Sequence, residues 1–82
     1  MTVKAYIMIN VNTGTEDEVC DDLVKLEEVE EVATVYGEYD AVVKVRAKDM
    51  EHLDHFIVEK LRGIRNIFLT ATMLIAKEYQ QA

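Results

Sequence analysis

The sequence predicts an α+β fold in a single domain, with its elements in the order β-α-β-β-α-β. Apolar residues alternate in four stretches, as in strands, and recur at helical spacing in two others. A length of 82 residues suits one domain and is too short for two. This order corresponds to two split βαβ units, the ferredoxin-like arrangement, in which both helices cover one face of a four-stranded antiparallel sheet.

The first half of the chain predicts a strand and a helix. Residues 3–11 alternate strictly between two sets of side chains, which indicates a strand. Thr15 is the predicted N-cap of a helix over residues 16–26, and Glu18 would complete a capping box. Cys20 lies in the apolar stripe of this helix, which favours a small core residue over a reactive thiol.

The second half of the chain predicts a hairpin, a helix and a final strand. Residues 31–36 and 41–47 are rich in β-forming residues, and Gly37-Glu38-Tyr39-Asp40 separates them with a composition typical of turns. Asp49 is the predicted N-cap of the second helix, which carries an apolar stripe. Residues 67–76 are predicted to form the last strand.

Charge and composition exclude several classes of function. Sixteen acids against nine bases give a net charge of −7, and the bases are scattered rather than clustered as in nucleic-acid-binding domains. Direct binding to DNA, RNA or an anionic membrane is therefore not expected. The apolar stretches are far shorter than the roughly 20 residues of a membrane-spanning helix. The single cysteine cannot form an internal disulfide, and we expect a soluble cytoplasmic protein.

Strict alternation assigns two faces to the predicted sheet. The face predicted to pack against the helices comprises Ala5, Ile7, Ile9, Ala33, Val35, Ala41, Val43, Val45, Leu69, Ala71, Met73 and Ile75. The opposite face comprises Tyr6, Met8, Thr34, Tyr36, Val42, Lys44, Phe68, Thr70, Thr72 and Leu74. This second set is too apolar to remain exposed, so we expect a homodimer. The interface is predicted to contain Tyr6, Met8, Tyr36, Phe68 and Leu74.

No residue pattern indicates a metal site or a catalytic centre. His52, His55 and Glu59 share one side of the second helix, but that side lies away from its apolar stripe, which favours solvated residues over metal ligands. Paired acids such as Glu27 and Glu28 are interpreted as a solubilising charge run, because catalytic carboxylates need a pocket that separates their pKa values. We therefore expect no catalytic residue, no metal and no cofactor.

The Gly37-Glu38-Tyr39-Asp40 segment has two interpretations. It is either a plain hairpin turn, with a glycine at positive φ and an aspartate bonded to nearby backbone, or a loop that binds a small ligand. Free backbone N–H groups beside a carboxylate would suit a zwitterion. Thr70 and Thr72 lie two residues apart on one strand and project their hydroxyls to the same side, which is also an ordinary feature of strands.

Taken together, these segments resemble the C-terminal effector domain of the Lrp/AsnC transcriptional regulators, called RAM for regulation of amino-acid metabolism. The resemblance lies in residues 5–11, in the turn at 37–40 with the strand that follows it, and in Thr70-Ala71-Thr72. It covers essentially the whole chain, and its most specific part is the Gly-x-Tyr-Asp turn.

The resemblance implies dimers formed through the open sheet faces, larger rings of dimers, and an amino-acid effector bound where subunits meet. Asp40, the acid of the turn that matches the family motif, is assigned to the ligand ammonium, either directly or by ordering the loop, and the backbone N–H groups around Gly37, Glu38 and Tyr39 are assigned to the ligand carboxylate. Thr70 and Thr72 would add hydroxyl donors, from the same chain or from a neighbouring subunit. Full-length members also carry an N-terminal helix-turn-helix, which this sequence lacks. Residues 1–82 are therefore expected to form a stand-alone effector module that would act on full-length regulators.

Two other classes share this architecture. A small cofactor-free monooxygenase of the dimeric α+β-barrel type would be an enzyme, and it would need a pocket with a convergent polar group from a tyrosine or a histidine. An ACT-type amino-acid sensor has a similar fold and ligand class, but it often pairs its sheets side by side.

Overall fold

A computed structural model describes residues 2–81, and the predicted element order is confirmed. The strands are β1 (Val3–Val11), β2 (Val29–Thr34), β3 (Ala41–Ala47) and β4 (Ile67–Leu74). The first helix, α1, spans Glu16–Val24. The second helix, α2, is α-helical over Met50–His55, continues as a π-helical turn over Phe56–Lys60 and ends in a 3₁₀ turn over Leu61–Gly63.

The four strands form one antiparallel sheet in the order β2-β3-β1-β4. The first strand is therefore central, and it pairs with β3 on one side and β4 on the other. Each partner strand adds one row of side chains to each face, because residues opposite each other in an antiparallel pair point to the same side. Ile7, for example, lies between Val43 and Thr72.

The core lies between the sheet and the two helices. Ala5, Ile7 and Ile9 of the central strand are completely buried. Fully burying a large aliphatic side chain contributes roughly 1.5–3 kcal/mol. The remaining core residues come from β1, β3 and the two helices, and they are Val11, Ala41, Val43, Val45, Ala47, Val19, Leu23, Leu53, Phe56 and Leu61. Within residues 2–81, no helix is both long enough and apolar enough to span a membrane.

The predicted facing of β4 is wrong. Thr70, Thr72 and Leu74 pair with Ile9, Ile7 and Ala5 and therefore lie on the helix face. The open face instead receives Leu69, Ala71 and Met73, which pair with Asn10, Met8 and Tyr6. The cause is a bulge, since the pairing shifts between Asn10 and Val11, and one extra residue in β4 reverses the alternation beyond it.

The predicted facing of β2 is wrong for the same reason. Its pairing with β3 shifts between Val29 and Glu31. After this shift Val32 and Thr34 pair with helix-face residues of β3, whereas Ala33 pairs with a residue of the open face. Strict alternation counted from Val29 would have given the opposite result.

The two helices begin differently. Asp49 caps α2 as predicted, because its side chain accepts a hydrogen bond from the His52 N–H at 2.8 Å. The predicted capping box of α1 is wrong, since the Thr15 hydroxyl donates to the Asn12 carbonyl instead of accepting from the helix. Cys20 is half-buried beside the core, and burial together with neighbouring carboxylates raises the pKa of its thiol. A raised pKa disfavours the reactive thiolate, as the core interpretation requires.

Glu28 forms a buried ionic cluster with α2, so the interpretation of this acid as a solubilising charge is wrong. Its side chain is 5% exposed and accepts hydrogen bonds from Lys60 Nζ at 2.8 and 3.0 Å. His52 Nε2 lies 3.1 Å from Glu28 Oε2, so His52 is not the solvated residue that was predicted. Burial alone would raise the pKa of Glu28, but the bonds from Lys60 and His52 outweigh it and lower the pKa.

Lys60→Met is expected to lower the free energy of unfolding by about 1–3 kcal/mol, because it leaves a buried carboxylate with one partner fewer. Lys25→Met removes an exposed lysine and should change it by less than about 0.5 kcal/mol. Urea denaturation at one protein concentration measures both. Because the pKa of Glu28 is lowered in the folded chain, its ion pair stabilises the fold above the ordinary glutamate pKa of about 4.3. This stabilisation is lost as the pH falls through the lowered pKa. The loss of stability caused by Lys60→Met should therefore become smaller in acid.

Candidate functional site

The loop between β2 and β3 is a closed turn. The Val35 N–H donates to the Asp40 carbonyl at 3.0 Å, which joins the two ends of the loop. Gly37 has a φ of 140°, a conformation that side-chain-bearing residues rarely adopt. A Cβ at this position would meet nothing within 4 Å. Gly37 is therefore required for its backbone angle, as predicted, and not for space.

Asp40 fastens this loop to the end of the central strand. Its Oδ2 accepts a hydrogen bond from the Val11 N–H at 2.8 Å. Its own N–H donates to the Ile9 carbonyl at 2.9 Å and to Asn10 Oδ1 at 3.1 Å. Within residues 2–81, no hydrogen bond engages the second carboxylate oxygen, Oδ1. Asp40 therefore orders the loop through its backbone N–H and one carboxylate oxygen.

A groove of about 460 Å³ lies between this loop and the first turn of α1. Its walls are Glu16, Asp17, Thr34, Val35, Tyr36 and Asp40. Glu16 and Asp17 were not predicted as site residues, because acids in the first turn of a helix are already explained by the helix dipole. Three of these six lining residues carry carboxylates, so the groove favours a positively charged group.

Thr70 and Thr72 do not approach Asp40 within one chain. Thr70 pairs with one side of Ile9, and the Asp40–Ala41 segment pairs with the other side. Two strand spacings, about 10 Å, separate them, and the buried Ile9 side chain lies between. Both threonines are exposed and share a face, as predicted, although it is the helix face. The predicted ligand residues therefore form two separate groups in the chain.

The open face, defined as the sheet surface away from the helices, is broad and mixed. By strand pairing it comprises Lys4, Tyr6, Met8, Asn10, Glu31, Ala33, Val42, Lys44, Arg46, Leu69, Ala71 and Met73. Of the predicted dimer residues, Tyr6 and Met8 lie on it, whereas Leu74 lies on the other face. Tyr36 projects from the loop and is fully exposed, and Phe68 is 64% exposed at the bulge.

One end of the open face carries a network of ion pairs. Lys44 Nζ lies 2.8 Å from Glu78 Oε2, and Lys4 Nζ lies 3.2 Å from Glu78 Oε1. Glu30 adds longer contacts to Lys44 at 4.0 Å and to Arg46 at 3.7 Å. The hydrogen bond from Lys44 lowers the pKa of Glu78 and raises the pKa of Lys44 itself.

The histidines do not form a reactive site. His52 Nδ1 accepts the Lys48 N–H at 2.9 Å, so the ring hydrogen belongs on Nε2, which faces Glu28. Both ring nitrogens therefore serve the fold. His55 and Glu59 are exposed, as predicted. In the described part of the chain, no group of three or more His, Cys, Asp or Glu residues is placed to hold a metal ion.

Comparison with known proteins gives one family. The family model of the Lrp/AsnC ligand binding domain matches residues 4–82. The chain is 39% identical over 80 residues to the HTH-type transcriptional regulator FL11 of Pyrococcus abyssi, a match that covers 98% of this chain and 52% of the regulator. The chain thus spans about half the length of the curated relatives it matches.

Solved structures give the same fold. The crystal structure of FFRP-DM1 superposes with a TM-score of 0.86 at 42% identity, covering 89% of this chain and 97% of that one. A Neisseria meningitidis transcriptional regulator in complex with L-Met superposes with a TM-score of 0.86 at 20% identity, covering 96% of this chain and 53% of that one. The second likeness concerns the fold alone.

Asp40→Ala is expected to lower the free energy of unfolding by about 1–3 kcal/mol, because the Val11 N–H loses its acceptor. Asp40→Asn should cost clearly less, since an amide oxygen can accept the same bond. Equilibrium denaturation of the two variants measures the difference. Equal losses in both would mean that the carboxylate charge, rather than the hydrogen bond, holds the loop.

Proposed function

Because the chain belongs to the Lrp/AsnC ligand-binding domain family, we propose that it binds a free amino acid and assembles into dimers through its open face. The relatives that it matches over nearly its whole sequence are transcriptional regulators of the helix-turn-helix type, about twice as long as this chain. The proposed role is an effector module that enters or modulates assemblies of such regulators in the cytoplasm. Rings of several dimers are part of this proposal.

The observation that carries the ligand proposal is the anchored loop beside an anionic groove. A free amino acid has an ammonium and a carboxylate close together, so its receptor needs an anion and several N–H or O–H donors. Asp40 Oδ1 would accept from the ammonium, and the backbone N–H groups of Gly37, Glu38 and Tyr39 would face the carboxylate. The L-Met complex of the Neisseria relative supports this ligand class.

Thr70 and Thr72 would enter the site from a neighbouring subunit. Within one chain they lie on the far side of the central strand from Asp40, so a single chain does not bring the two groups together. Both residues are exposed, on the part of the helix face that β4 forms. A site completed only by assembly would couple amino-acid binding to the oligomeric state.

The distribution of charge supports dimers through the open face. The chain carries a net charge of −7, which opposes association between copies. The three bases of the open face, however, are balanced by Glu31 on the same face and by Glu30 and Glu78, whose side chains reach these bases from beside it. The negative charge therefore lies on the remaining surface. The open face is the surface on which two copies can meet without strong repulsion.

Catalysis and direct nucleic-acid binding are not part of the proposal. The family is one of regulators, and His52 uses both ring nitrogens in structural bonds. The three bases of the open face are matched by three acids on or beside it, which leaves no excess of positive charge there for phosphates. Contact with DNA would come through a full-length regulator in the same assembly.

Calorimetry against the common amino acids should find at least one that binds, and Asp40→Asn should weaken it about ten- to a hundredfold. The reason is the loss of one charge-assisted hydrogen bond, worth about 1.5–3 kcal/mol. Thr72→Val should also weaken binding, and only in the assembled state. Glu59→Gln, which removes an exposed charge on α2 outside the site, is the control.

Two results would contradict this assignment. If Asp40→Asn binds the same amino acid as tightly as the parent chain, Asp40 does not serve the ammonium. If no amino acid binds at millimolar concentration, the domain is an oligomerisation unit without an effector.

Two adjacent residues test which face forms the dimer. Met73 and Leu74 are equally exposed, at 54%, but lie on opposite faces of β4. Met73→Asp should dissociate the dimer, because it buries an unpaired charge, whereas Leu74→Asp should leave it intact. Light scattering at micromolar concentration gives the mass of each. Dissociation by Leu74→Asp alone would place the interface on the helix face.

A further inference from the structure

The segment that follows β4 returns an acidic side chain to the open face. The Ile75 N–H donates to the Lys4 carbonyl at 2.9 Å and extends the pairing with β1 by one residue. Three residues later, Glu78 reaches Lys44 on β3, on the opposite side of the central strand. Two strand spacings, about 10 Å, separate β4 from β3, and the long side chains of Glu78 and Lys44 meet between them. The Glu78 carboxylate therefore lies at one end of the open face.

Lys44 is the residue whose charge has to be neutralised if the open face is buried. It lies within the open face opposite Tyr6, its side chain is only 16% exposed, and its Nζ is 5.8 Å from the Tyr6 ring centroid. A second copy on this face would remove the ammonium from water. An ammonium withdrawn from water strongly destabilises an interface unless a counter-ion with good geometry accompanies it.

Glu78 is the acid that meets this requirement. It bonds Lys44 at 2.8 Å and also reaches Lys4 at 3.2 Å, whereas Glu30 lies 4.0 Å from Lys44 and is not within hydrogen-bonding distance. Without Glu78, the open face would carry three bases against two acids. In a two-fold dimer, that excess positive charge would occur twice and would face itself.

We propose that Glu78 is the counter-ion that allows the open face to be buried, so that the segment 75–78 forms part of the dimer interface. This inference rests on the proposed dimer. Glu78 acts as a positioning residue, since it holds the Lys44 and Lys4 side chains flat against the sheet beneath the partner. In the opposite case, residues 75–78 would block the open face and would have to move away before a partner could bind.

The test compares the dimer dissociation constants of four chains by sedimentation equilibrium. These are the parent, Glu78→Gln, Lys44→Met, and the double variant that carries both substitutions. Glu78→Gln should raise the dissociation constant at least about tenfold, because it leaves Lys44 buried without a close anion. The double variant should return to within about threefold of the parent, because no unpaired charge remains.

Glu59→Gln is the matched control. It also removes one negative charge, but from an exposed position on α2 away from both the open face and the loop at residues 37–40, and should leave the dissociation constant unchanged or slightly lower through reduced repulsion. Circular dichroism of each variant tests the fold separately from the association. Glu78→Gln changes no buried backbone partner, so its spectrum should match that of the parent.

The outcomes separate the two proposals. A parent chain that sediments as a single chain at every concentration would overturn the dimer itself, and this inference with it. A dimeric parent whose Glu78→Gln variant associates equally well or more tightly would overturn the role of Glu78 alone. A double variant as weak as Glu78→Gln would also overturn it, because the defect would not come from the unpaired Lys44.

Discussion

The structure depends on the double pairing of its first strand. β1 lies between β3 and β4, so its alternate residues determine the character of both sheet faces. Ala5, Ile7 and Ile9 are completely buried beneath the helices, whereas Tyr6 and Met8 face outward. Because the side-chain period of a strand is two, a slip of one residue in this pairing would exchange the core for the open face.

The two features assigned to function are attached to the same strand. Asp40 binds the loop to the carbonyl of Ile9 and to the N–H of Val11, at one end of β1. The ion pairs of Lys4 lie at its other end, and Tyr6 and Met8 lie between them. The central strand therefore sets the distance between the loop at residues 37–40 and the charged end of the open face.

Electrostatics give the two sheet faces different roles. On the helix side, Glu28 is buried with Lys60 and His52 and joins the connection before β2 to α2. On the open side, the ion pairs lie at the surface, where they are weak individually as long as water surrounds them. The same pairs become important only if a partner removes that water, since their strength depends on the local dielectric constant.

Local sequence determined the elements of this protein, and tertiary structure decided how they face each other. Alternation and helical spacing predicted every strand and helix, and the composition of residues 37–40 predicted the turn with Gly37 at positive φ, because these depend on near neighbours. The facing of Thr72 and Leu74 was not predictable, since a bulge shows only as an offset between paired strands. The burial of Glu28 and the ion pair of Glu78 with Lys44 were not predictable either, because their partners are distant in sequence. The sequence around an acid does not distinguish a solvated carboxylate from a paired one, so only the tertiary structure decides between them.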